Sequence, residues 1–122
     1  MKKILILASA LLVSSAALGQ YLLVNQFKGA DIGAQINNCL LSLPASGGVC
    51  DARALQGALT VSTNPYNGVT NPTVLLLGNA TFVSAPQWGS LPSGTSIIGA
   101  GMGVTTIQQT ANNSPVLTAG LL

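Results

Sequence analysis

The rhythm of hydrophobic positions changes twice along this chain. Residues 4–13 form an apolar run broken only by Ser9, and 30–43 carry an apolar stripe at helical spacing. From 49 onward the apolar residues fall into short runs split by Gly, Asn and Pro. The stripe is Ile32, Ile36, Cys39, Leu40 and Leu43, which predicts one helix over about 30–43. Asp31 lies near its start, where a carboxylate favours the exposed N–H groups, and Pro44 with Gly47-Gly48 ends it. The opposite face, Gln35, Asn37, Asn38 and Ser42, is polar but uncharged, so the helix reads as a cap over one end of a core. The preceding stretch, 20–29, reads as an extended lead-in or part of a first covering layer.

Downstream, the runs 49–52, 58–62, 74–77, 81–84, 96–98, 104–108 and 116–118 read as short strands. The continuous run 74–77 suits a strand buried on both faces. Asn64-Pro65, Asn67-Gly68 and Asn71-Pro72 mark a long loop, and Pro86, Gly89, Pro92 and Gly94 mark another. The pattern of strand, tight corner and strand in VLLLGNATFV returns in SIIGAGMGVTTI. Val49, Val74, Ile97 and Val116 form one series at spacings of 25, 23 and 19; Val61, Val83 and Ile107 form another at 22 and 24. Periods of this size mark a solenoid of stacked coils; the competing architecture is an antiparallel sandwich of seven short strands. The repeated plan favours the solenoid.

The first segment changes what charge means here. Met1-Lys2-Lys3, the apolar run and Ala17-Leu18-Gly19 before Gln20 have the form of a secretory signal peptide over 1–19, leaving 20–122. The run is shorter than the roughly 20 residues a membrane span needs, so no membrane association is expected after cleavage. Losing Lys2 and Lys3 leaves Lys28 and Arg53 against Asp31 and Asp51, a side-chain sum of zero. No basic surface remains to track phosphates, which argues against nucleic acid as a partner. The expected location is secreted, periplasmic or cell-surface, in a bacterium. In that compartment Cys39 and Cys50 suggest a disulfide, the alternative being two buried free thiols.

GADIGAQINNCLLSLPASGGVCDAR, followed by TVLLLGNATF and LPSGTSIIGAGMGVTTIQ, resembles the N-terminal part of the pectate-lyase-like right-handed parallel β-helix proteins. That superfamily includes polysaccharide lyases, glycoside hydrolases and phage tailspikes. The resemblance spans about 28–109 and implies an all-β fold: a right-handed parallel β-helix with an N-terminal capping α-helix and coils from about 49. It implies a longer parent that acts on or binds polysaccharide, with this segment structural; the alternative is a non-catalytic surface or adhesin-type binding module. A third reading is a fragment with no function of its own. In such proteins the catalytic and calcium-binding acids lie on later coils, and none can be matched here. The sequence thus reads as a truncated chain that keeps the cap and about three coils. Its open end would expose Ile97, Ile107, Val116 and Leu117 and call for further coils or self-association.

Candidate chemistry is sparse, since the chain has no His and no Glu. Gly99-Ala100-Gly101-Met102-Gly103 superficially resembles a dinucleotide-binding turn, but Val104 occupies the third glycine position and a strand pattern follows. No cofactor is expected, and no group has metal-ligand spacing. Asp51 and Arg53, two apart on one strand, share a face and read as a surface ion pair rather than half of an acid/base pair. Asp31 reads as a cap. Tyr66 and Trp88, in the long loops, are candidates for stacking on a glycan, with loop packing as the alternative. No catalytic residue is expected within this segment.

Overall fold

The computed structural model describes residues 20–89, 91–110 and 115–117. The expected signal peptide lies outside them, as does the last residue of the 116–118 run. Strand β1 (Gln20–Leu23) leads through a 3-10 turn (Val24–Gln26) into helix α1 (Ile32–Leu41). Six strands follow: β2 (Gly48–Ala52), β3 (Gly57–Val61), β4 (Val74–Leu77), β5 (Ala80–Ser84), β6 (Ser96–Ile98) and β7 (Thr106–Gln109). They form two sheets, ordered β1-β2-β4-β6 and β3-β5-β7. Every pair is parallel, which excludes the antiparallel sandwich.

The expectation of an all-β right-handed parallel β-helix is corrected by this arrangement. The described strands lie in two separate small parallel sheets beside one helix, and no closed solenoid forms. The physical reason lies in the long connections. Segments 62–73 and 85–95 contain Pro65, Pro72, Pro86 and Pro92, and their described residues contribute no strand to join the two sheets. Proline lacks the N–H a ladder needs, and Asn and Gly favour turns.

Between the sheets, side chains meet in register. Leu22, Cys50, Leu75 and Ile97 form one row across the first sheet, and Leu59, Phe82 and Ile107 one across the second. Cys50, Ala52, Val61, Leu75, Leu77, Ala80 and Phe82 are fully or almost fully buried. Strand β4 alternates buried and half-buried positions, so only Leu75 and Leu77 face the core, contrary to a strand covered on both sides. The register also separates the second periodic series: Thr60, not Val61, opposes Val83, and Phe82, not Val83, opposes Ile107. A shift of one residue moves a side chain to the opposite face, so Val83 points away from the row that Val61 shares with Ser84.

Helix α1 packs on β2 and β3 through Ile36, Cys39 and Leu40, all buried. Its supposedly solvent-facing side is partly occupied. Asn37 is buried and donates to the carbonyls of Pro65 and Asn67, both at 2.8 Å. Gln35 donates to the carbonyl of Val24, and Asn38 to that of Lys28. These polar side chains tie neighbouring loops to the helix. Cys39 and Cys50 are joined in a disulfide that fastens α1 to β2.

Candidate functional site

Two of the four described charged residues, Asp51 and Arg53, meet the exposed ring of Tyr21 at the β1 edge of the first sheet. Tyr21 on β1 stands two residues off the register partner of Asp51 on β2, since Leu23 opposes Asp51. The Tyr21 hydroxyl donates to Asp51 Oδ2. Arg53, just past β2, donates from Nε to Asp51 Oδ1 at 2.9 Å and from Nη2 to Asp51 Oδ2 at 2.7 Å. Its Nη2 also reaches the Tyr21 hydroxyl at 2.8 Å, and its backbone N–H donates to Asp51 Oδ1. This is a bidentate guanidinium–carboxylate pair, the strongest geometry for such a contact. Beside it opens a groove of about 440 Å³ lined by Leu23, Asn25, Asp51, Arg53 and Ala54.

Electrostatics follows from these contacts. The Arg53 side chain, aided by the Tyr21 hydroxyl, holds the Asp51 carboxyl well below the usual carboxylate range against the opposing effect of burial. The hydrogen bond to Asp51 raises the Tyr21 phenol above its ordinary value. Asp51 is therefore an anion with a fixed counter-cation, and the cluster is neutral overall. The Arg53 side chain stays 59% exposed and Tyr21, which does not itself line the groove, 52% exposed, so both face solvent.

Asp31 serves a different purpose. Its carboxylate accepts from the backbone N–H groups of Gly33 and Ala34, capping α1. It also accepts from the N–H groups of Ser62 and Thr63 and from the Thr63 hydroxyl, at 2.7–3.0 Å. Burial pushes this carboxyl up, but the Thr63 hydroxyl and the Ser62, Thr63 and Gly33 N–H groups outweigh it and leave the pKa lowered. The cap role agrees with the sequence pattern; the link to the end of β3 does not appear in it.

Tyr66 and Trp88 are brought together, but inside. Trp88 is fully buried and Tyr66 almost so, with ring centroids 6.3 Å apart. Trp88 meets Phe82 edge-on, and its indole N–H donates to Ser84 Oγ at 3.0 Å. Burial pushes the Tyr66 phenol well above its ordinary value. Neither ring offers a face to a sugar; both pack beneath the loops. The aromatic residue that is open, Tyr21, was not singled out by the sequence pattern. Alternation of Tyr21 and Leu23 against Leu22 and Val24 was the available signal, carried by only four residues.

Around Gly99–Gly103 the chain makes a corner and then β7, a strand where a dinucleotide-binding turn would lead into a helix. The Thr105 hydroxyl accepts from the Ala100 N–H and donates to the Gly78 carbonyl at 2.6 Å, locking this corner onto the preceding one. Among the described residues no group of His, Cys, Asp and Glu is placed to hold a metal ion. No described helix is long and apolar enough to cross a membrane. No protein-family model, curated protein or solved structure matches the chain. The resemblance to pectate-lyase-like proteins thus rests on the quoted residues alone.

Proposed function

We propose that this chain is an exported, non-catalytic binding module that takes a neutral carbohydrate against the Tyr21 edge of its first sheet. The observation that carries the reading is the half-exposed Tyr21 ring, held by its hydroxyl to Asp51 and Arg53 beside an open groove. A ring fixed in this way loses little freedom when a sugar face stacks on it. The Asn25 and Arg53 side chains on the rim supply donors for hydroxyl groups. Because Asp51 already neutralises Arg53, a neutral saccharide fits better than a uronate, which would need an uncommitted cation.

The non-catalytic part follows from what the acids are doing. Asp31 is engaged by five hydrogen bonds and Asp51 by its ion pair and Tyr21, so both described carboxylates hold the fold together. General acid/base work on a glycosidic bond needs a carboxyl free to exchange its proton near neutral pH.

Titration of the labelled chain with neutral and uronic oligosaccharides, followed by NMR, tests the proposal. Neutral sugars are expected to shift Tyr21 ring, Asn25 and Arg53 resonances, and Tyr21→Ala to weaken binding about tenfold. Tyr21→Phe keeps the stacking surface and should bind more tightly than Tyr21→Ala. A stronger response to uronates, or binding indifferent to Tyr21→Ala, contradicts it.

A further inference from the structure

The first long connection, 62–73, carries an asparagine–glycine pair at a turn. Asn67 and Gly68 are both exposed, and the turn is closed by the Val69 N–H donating to the Tyr66 carbonyl at 3.1 Å. Gly68 takes a φ of 74°, and a Cβ placed on it would meet only Leu41 Cδ2 at 3.9 Å. Among the described residues the Gly68 N–H donates to no acceptor, and the Asn67 side-chain amide makes no hydrogen bond. The backbone of Asn67 is held instead: Asn37 Nδ2, itself buried, donates to the carbonyls of Asn67 and Pro65, each at 2.8 Å.

We propose that Asn67 is a site of spontaneous deamidation in the folded chain, and that the Asn37 clamp sets its rate. The Gly68 nitrogen gives its proton to water and attacks Asn67 Cγ, forming the N–Cγ bond of a five-membered imide. The Cγ–Nδ2 bond breaks, and Nδ2 leaves as ammonia after taking a proton. Water then opens the imide at either carbonyl, giving aspartate or isoaspartate, so the sum is asparagine plus water to the acid plus ammonia. Glycine places no side chain over the attacking nitrogen. The other described asparagines lack this opening. Asn64 and Asn71 precede prolines, which have no N–H to lose, and Asn25, Asn37, Asn38 and Asn79 precede residues whose side chains shield the nitrogen. Ring closure needs an Asn67 ψ outside the ordinary α and β regions, so its carbonyl must turn away from Asn37. That strands a buried donor, and the clamp therefore acts as a brake released by local opening. The product carries a negative charge in a region, 54–122, that has no charged side chain.

Ageing the full chain and locating conversion by peptide mapping with mass spectrometry tests this. Asn67 should convert before any other described asparagine, give both acids, and react faster as pH rises, because the nucleophile is the deprotonated nitrogen. Asn67→Gln, which would require a six-membered ring, should abolish conversion at this position. Asn37→Leu should speed it about tenfold in buffer and leave it unchanged in urea, where the clamp is already lost. The near-ultraviolet circular dichroism of Trp88 shows whether this variant is folded. Independently of it, the unmodified chain should react faster at urea concentrations below its unfolding midpoint. Conversion at another described asparagine ahead of Asn67, a rate in buffer equal to that in urea, or a folded Asn37→Leu chain that reacts no faster each overturns the inference.

Discussion

Asp31 joins two parts of the chain that are far apart in sequence. One carboxylate satisfies the first N–H groups of α1 and the backbone at the end of β3. Asp31→Ala should therefore cost more than a simple cap, about 2–4 kcal/mol, because it strands several donors at once. Urea denaturation would measure it, and a loss within the range of an isolated cap would show that the Ser62 and Thr63 bonds contribute nothing. Asp31 and Asp51 both have folded-state pKa values below their unfolded ones. Their contribution is present above the unfolded carboxylate pKa, about 3.9, and is lost as pH falls through the lower folded values. The denaturation midpoint should thus be level at neutral pH and decline below about pH 4. Replacing Asp51 by Asn should flatten that decline. Gly33 gives a sharper residue-level test. Alanine is the better helix former, but its Cβ would collide with the Thr63 carbonyl, so Gly33→Ala should lower stability despite the gain in propensity. Gly57→Ala meets no neighbour and should cost only the roughly 1–2 kcal/mol of its positive φ.

At the scale of elements, α1 and β2 are held by the Cys39–Cys50 bridge as well as by packing. Replacing both cysteines by alanine should cost about 3 kcal/mol in the chain-entropy account, measured as a fall in denaturation midpoint at pH 7. Reductant should then have no further effect. Trp88 fixes the second long connection by meeting Phe82, Tyr66 and Ser84. Trp88→Ala should cost about 3–5 kcal/mol, and unfolding followed by circular dichroism would read it. How much of this was legible in the sequence differs by element. The helix was, because five apolar positions at helical spacing are hard to produce otherwise, and its observed ends lie within two residues of those expected. The strands were mostly legible from β-branched runs between turn residues, although Val104 and Thr105 fall in the corner before β7. Which face each residue occupies was not. Val61, Val83 and Ile107 look like one hydrophobic series, yet the register puts Phe82 between Leu59 and Ile107 instead. Spacing alone cannot distinguish a shift of one residue, and in the apolar run at β4 either face could have been inner. The candidate site was the least legible part. Asp51 and Arg53 were visible as an ion pair, but Tyr21 joins them only through the parallel pairing of β1 with β2. That contact spans thirty positions in sequence and has no local signature.

For the whole molecule, polarity is distributed along the direction in which the strands stack. Tyr21, Asp51 and Arg53 gather at the β1 side, α1 covers β3, and the uncharged edges of β6 and β7 occupy the far side. Parallel pairing is what creates this separation: from β2 onward each strand lies beside the one two strands on, so sequence order becomes spatial order. Hairpins would instead set 74–77 beside 80–84 and mix the two ends. It is also why the sequence period was informative while the closed solenoid it suggested was not reached. The loops that return the chain between sheets are built from turn residues and add no strand. The measurement that bears most directly on this account is a set of inter-strand nuclear Overhauser contacts in the labelled chain. The account predicts parallel-type contacts between Leu75 and Ile97 and between Phe82 and Ile107. Antiparallel contacts between Val74–Leu77 and Ala80–Ser84 would contradict it.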